Sequence, residues 1–102
     1  MSKRLEMLEM VASKKPDDPF VWYARAMELR SLDRKDEALA AFGDVATKFP
    51  TYVPTYLMGA QVAAELGRTD EARAFAQRGI EQARAGGDGH ALSELDSFLA
   101  TL

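Results

Sequence analysis

"VASKKP" (residues 11–16) and "VATKFP" (residues 45–50) share four of six letters, and Ser13/Thr47 is a conservative exchange. They lie 34 residues apart. The same offset sets Arg34 over Arg68 and Asp36-Glu37-Ala38 over Asp70-Glu71-Ala72. It also sets Ala26 over Ala60, Leu32 over Leu66, Ala40 over Ala74 and Trp22 over Tyr56. Run backwards, it aligns Leu5, Leu8, Val11 and Ala12 with Leu39, Phe42, Val45 and Ala46, one apolar stripe at helical spacing. Agreement in separate stretches establishes an internal repeat.

Each period reads as helix, short break, helix. The run from Phe20 to Leu32 keeps Trp22, Ala26, Leu29 and Leu32 on one face, and that from Asp36 to Phe49 keeps Leu39, Phe42, Val45 and Ala46 on another. Gly67 suits the residue just past a helix end, and Thr69 suits the N-cap of the next helix. Asp36/Glu37 and Asp70/Glu71 fall in first turns, where the helix dipole favours negative charge. Pro16 and Pro50 stand just beyond helix ends that they cannot continue. Strand-like alternation is lacking, so the spacing predicts an all-α chain.

A helix–turn–helix unit repeating every 34 residues resembles the tetratricopeptide repeat. The family's aromatic, small and proline positions fall at Trp22, Ala26, Ala38, Phe42, Val45 and Pro50 in the first copy. In the second they fall at Tyr56, Ala60, Ala72, Ala76, Gly79 and Arg84. The resemblance covers about nine tenths of the chain when partial repeats are counted. Three departures stand out: Arg25 where leucine is usual, Phe75 one place early, and Arg84 in place of proline. Gly79 costs about 1 kcal/mol against Ala inside a helix, which points to close helix approach there.

The resemblance implies a right-handed α-solenoid of about six helices over residues 1–102. Residues 1–15 form a half-repeat helix, 19–52 and 53–86 two repeats, and 88–102 a capping helix. Six helices equal three repeats offset by half a unit, which reads as a complete small solenoid. In the last helix Leu92, Leu95, Leu99 and Leu102 form a stripe suited to closing the stack. It fits a first-type helix if about two residues are gained in "AGGDG". Phe98 lies outside that stripe.

Composition narrows the function. The 102 residues are 47% apolar and carry a net charge of −3, which argues against a nucleic-acid footprint. Cysteine is absent, so disulfides and thiol chemistry are excluded. No apolar run approaches the roughly 20 residues of a membrane span, and the start is an amphipathic helix and not a signal peptide, so a cytoplasmic location is expected. His90, the single histidine, makes a poor zinc site without thiolates and reads as a surface residue at a helix start. "GGDG" (residues 86–89) lacks the Gly-Lys-Ser/Thr ending of a phosphate loop and reads as a turn. No cofactor, metal or catalytic residue is expected.

What remains is surface. In the family, first-type helices line a concave face. That resemblance assigns Phe20, Tyr23, Met27 and Arg30 to the face from the first copy, and Pro54, Leu57, Gln61 and Ala64 from the second. Trp22 and Ala26 already supply the core stripe, which leaves Tyr23 and Met27 for the groove; the competing reading makes Tyr23, Met27 and Leu57 extra core beneath the last helix. The Lys/Asn/Arg clamp by which related grooves hold acidic tails is missing, with Tyr23, Met27 and Met58 at its positions. Tyr23, Met27 and Leu57 are then expected to take an apolar side chain and Arg30 a carboxylate. The expected function is an adaptor that binds a peptide or helix of an unidentified protein, with no nucleic acid and no membrane involved. The alternative is a self-associating homo-oligomer. Residues 1–15 carry a net +2 and residues 85–102 a net −3, so complementary ends permit head-to-tail contact. A carrier of a small apolar ligand is a third, poorly enclosed option.

Overall fold

Residues 2–102 are described by a computed structural model with six helices and, among the described residues, no strand. They are α1 (Lys3–Lys14), α2 (Pro19–Ser31), α3 (Lys35–Lys48), α4 (Pro54–Glu65), α5 (Thr69–Ala85) and α6 (Gly89–Leu99). Each helix packs on the next in sequence, and α4 also touches α2 and α6. This nearest-neighbour pattern is what a stacked repeat produces.

The helices start and stop for local reasons. Ser2, Asp18 and Asp88 cap α1, α2 and α6 by accepting the backbone N–H of Leu5, Phe20 and Ala91, each at 3.0 Å. Three turns share one stop signal. Asp33, Gly67 and Gly87 take positive φ (59°, 75° and 69°). The next residue's N–H then donates back to Leu29, Ala63 and Ala83, respectively, as a Schellman ending requires. Thr69 is not an N-cap: Arg68 takes that place, as Arg34 does for α3, and neither helix has a capping side chain. The expected acidic first turns are present, and Arg34 and Arg68 bind Glu37 and Asp36 at 2.6 and 3.0 Å.

The two copies also share a side-chain tether. The Trp22 indole N–H donates to the Pro16 carbonyl at 3.0 Å, and the Tyr56 hydroxyl donates to the Pro50 carbonyl. Their burial differs. Tyr56 is wholly enclosed, whereas Trp22, expected in the core, is half-buried beneath Lys48, whose Nζ stands 4.4 Å from the ring centroid. Leu32, also expected on the core face, is the C-cap of α2 and is 38% exposed. It lies past the last helical turn, where the apolar stripe no longer faces a neighbour.

Half of the buried apolar residues are alanines, so helices meet through small contacts and their backbones approach closely. One seam joins Leu5, Leu29, Leu39, Phe42 and Val62; a second joins Tyr56, Ile80, Ala83 and Leu95. The departures of the second copy fit together here. A Cβ on Gly59 would lie 2.7 Å from the Phe75 ring, so the missing side chain makes room for the displaced phenylalanine. In the first copy the sizes are reversed: Ala41 is small, and Arg25 is large and reaches Glu9 of α1 at 3.3 Å. Gly79 is where helices approach: a Cβ there would meet Tyr56 Cβ at 2.5 Å and Leu95 Cδ1 at 2.9 Å.

Arg84, standing where the first copy has Pro50, lets α5 run on to Ala85 before Gly87 turns the chain. The added turn produces the expected slip. The capping aspartates Asp18 and Asp88 lie two residues further apart than two repeat lengths. Of the terminal stripe, Leu95 is buried and Leu92, Leu99 and Leu102 are half-buried against the core; Phe98 is half-buried.

Candidate functional site

Helices α2, α4 and α6 are not consecutive, yet they wall one depression of about 290 Å³. Tyr23 comes from α2, Pro54, Leu57 and Met58 from α4, and Ala91 and Leu95 from α6, so the floor is apolar. Asp88, His90 and Glu94 stand at the α6 side. His90 Nε2 lies 3.0 Å from Glu94 Oε1, one turn along the same exposed face. A second depression, of about 410 Å³, lies on the other side of Tyr23. Phe20, Ala24 and Met27 line it with Arg4 and Glu28.

The residues expected at the site divide between these surfaces. Phe20 is 61% exposed. Tyr23 is half-buried and shared by both depressions; its ring meets Phe42 edge-on at 6.0 Å and Tyr52 at 5.5 Å. Burial raises the pKa of its hydroxyl, the Tyr52 phenol adds to that rise, and Arg30 opposes it. Met27 and Met58 are half-buried against the first core seam, and Leu57 against the second. These side chains thus serve wall and core together, because α2 and α4 each pack on at least three other helices and have no fully free face.

Arg30 is engaged. Its Nη1 donates to Gln61 Oε1 at 3.1 Å and to Met58 Sδ at 3.5 Å, and its Nη2 binds Glu65 at 3.0 Å. The guanidinium therefore braces α2 against α4, with its charge matched by Glu65. The α6 contribution of Asp88, His90, Ala91 and Glu94 escaped the sequence reading. The available signal was the assignment of the last helix as first-type, since every such helix faces the same side of the stack; the two-residue slip hid which of its residues do so. No helix of the described residues is long and apolar enough to cross a membrane. Among the described residues no three His, Cys, Asp or Glu side chains converge as metal ligands do.

Residues 31–94 match the family model described as tetratricopeptide repeat. No curated protein matches the sequence. Among solved structures, the chain is similar to a tetratricopeptide repeat domain protein from Salinibacter ruber, at 38% identity in both its crystal and its solution structure. The crystal structure aligns with a TM-score of 0.77 over 82% of this chain and 93% of the other. The solution structure aligns at 0.79 over 84% and 87%. A Bordetella parapertussis protein at 22% identity shares the fold, with a TM-score of 0.81 over 99% of this chain and 88% of the other. With the 34-residue period, paired helices and close small-residue contacts, these matches show that the chain belongs to the tetratricopeptide repeat family.

Proposed function

We propose that this chain is an adaptor that binds an apolar segment of a partner protein in the groove between α2, α4 and α6. The tetratricopeptide fold is generally a non-enzymatic protein–protein interaction module, and the groove is the surface on which that role is placed here. The observation that carries the reading is the apolar floor at Tyr23, Leu57 and Met58, left open where α2 and α6 each pack on α4. Solvent-facing apolar surface of this kind marks interaction sites. Because Glu65 and Gln61 occupy Arg30, recognition rests on shape and apolar burial and not on capture of a carboxylate.

Site-directed photo-crosslinking tests the assignment. A benzophenone side chain replaces Leu57 in the groove, and in a control replaces Gln77 on the exposed face of α5. A partner crosslinked from position 57 and not from 77 supports the groove. Equal labelling from both, or labelling from 77 alone, would rule it out as the binding surface.

A further inference from the structure

One face of α1 is left uncovered by the rest of the chain. Leu5 and Ala12 are buried toward α2. On the opposite side Lys3, Met7, Met10 and Lys14 follow one another at i, i+4, i+7 and i+11, a single stripe along the helix. Met7 is 65% and Met10 58% exposed, two thioethers bracketed by two ammonium groups. Unbranched, polarizable Met side chains adapt to irregular apolar surfaces.

The groove is the complement of that stripe in chemistry. Its floor is apolar at Tyr23 and Leu57, and its α6 edge is acidic at Asp88 and Glu94. Pro54, at the start of α4, lines the same cavity as Asp88. Lys3 and Lys14 are eleven residues apart, roughly 16 Å along a helix, with the two methionines between them. A helix laid along the groove with its methionines over Leu57 brings one lysine to the Asp88/Glu94 edge, Lys3 or Lys14 according to its direction.

We infer that the groove's occupant is α1 of a second copy of this chain, docked through Met7 and Met10. This rests on the groove being the binding surface, as proposed above. Face-to-face pairing of two α1 helices is disfavoured, since it sets lysine against lysine in either direction. A donor stripe and an acceptor groove on different parts of one surface make a heterologous contact. The net +2 of residues 1–15 and the net −3 of residues 85–102 favour the same encounter.

Sedimentation velocity of the full chain, from micromolar to millimolar, tests the inference. Mass should rise above the 11.2 kDa monomer with concentration and fall back as salt is added. Two variants each remove one side of the contact: Met7→Ser with Met10→Ser, and Leu57→Lys. Each alone should be monomeric with native circular dichroism, and the mixture should form a complex that stops at one copy of each. Glu94→Lys, an exposed change that leaves the core untouched, should weaken association by about fivefold to tenfold. A partner carrying Lys3→Glu or Lys14→Glu, whichever lysine lies at that edge, should recover part of that loss. Monomer at every concentration overturns the inference, while the crosslinking at position 57 still decides the groove. Association that survives either the Met7/Met10 variant or Leu57→Lys, or a mixture that stays monomeric when the native chain associates, overturns it as well.

Discussion

Three helical glycines give the same chemical change three different outcomes. Replacing Gly43 by Ala adds a methyl group that meets nothing within 4 Å, so only helix propensity counts, and stability should rise by about 1 kcal/mol. At Gly79 the same gain is opposed by overlap. The new Cβ would stand 2.5 Å from Tyr56 Cβ, where carbon atoms prefer about 3.5–4.0 Å. Leu95 can rotate aside. Tyr56 Cβ moves only with α4 itself, because the ring is wholly enclosed and its hydroxyl is tied to Pro50. Overpacking costs about 1–3 kcal/mol, and an overlap that only a helix shift can relieve falls in the upper part of that range, about 2–3 kcal/mol, so Gly79→Ala should lose about 1–2 kcal/mol net. Gly59 lies between these cases. Its new Cβ meets only the outer ring atoms of Phe75, at 2.7–3.0 Å, and a half-buried ring can swing, so the variant should fall near zero. Urea unfolding followed by circular dichroism measures all three, with a constant m-value as the check on two-state behaviour. For a domain of this size, the gap between Gly43→Ala and Gly79→Ala corresponds to about 10 °C or more in Tm. Equal shifts in all three variants, or a Gly79→Ala protein as stable as the native one, would refute the close-approach argument.

Asp33→Gly should stabilise by about 0.5 kcal/mol in the same assay, because Asp33 holds a φ of 59° that glycine adopts freely; only an exposed 3.6 Å contact with Lys35 is lost. The Thr55 hydroxyl is enclosed without a hydrogen-bond partner. Thr55→Val should therefore gain about 1 kcal/mol, and a loss would mean that the hydroxyl has a role in α4 packing. Burial raises the hydroxyl pKa of Tyr23, Tyr52 and Tyr56 in the folded chain. The folded state then holds these protons more tightly than the unfolded one, so stability is retained below the ordinary tyrosine pKa near 10 and lost above it. The urea midpoint should drop between about pH 9 and about pH 11 along with the ultraviolet signal of phenolate. A midpoint unchanged over that range would contradict the burial of these rings.

The sequence by itself determined the helices, their order and the family. Helical periodicity, a proline or a glycine acts on its own few neighbours. The repeat of "VASKKP" as "VATKFP" could therefore be read without coordinates, and so could Gly67 as a helix stop and Gly79 as a point of approach. Even the slip near residue 87 left a local trace, in Arg84 standing where a proline would have stopped α5. The partners of side chains were another matter. That Glu65, 35 residues away, neutralises Arg30, that Phe75 fills the space Gly59 leaves, and that Asp88 and Glu94 edge the groove of Tyr23 and Leu57 was decided by tertiary structure alone. So was the difference between Trp22 and Tyr56, matched in sequence register and in hydrogen bond yet unequal in burial. Stacking sets side by side helices that are distant in the chain, and charge, space and exposure at a groove are properties of that juxtaposition.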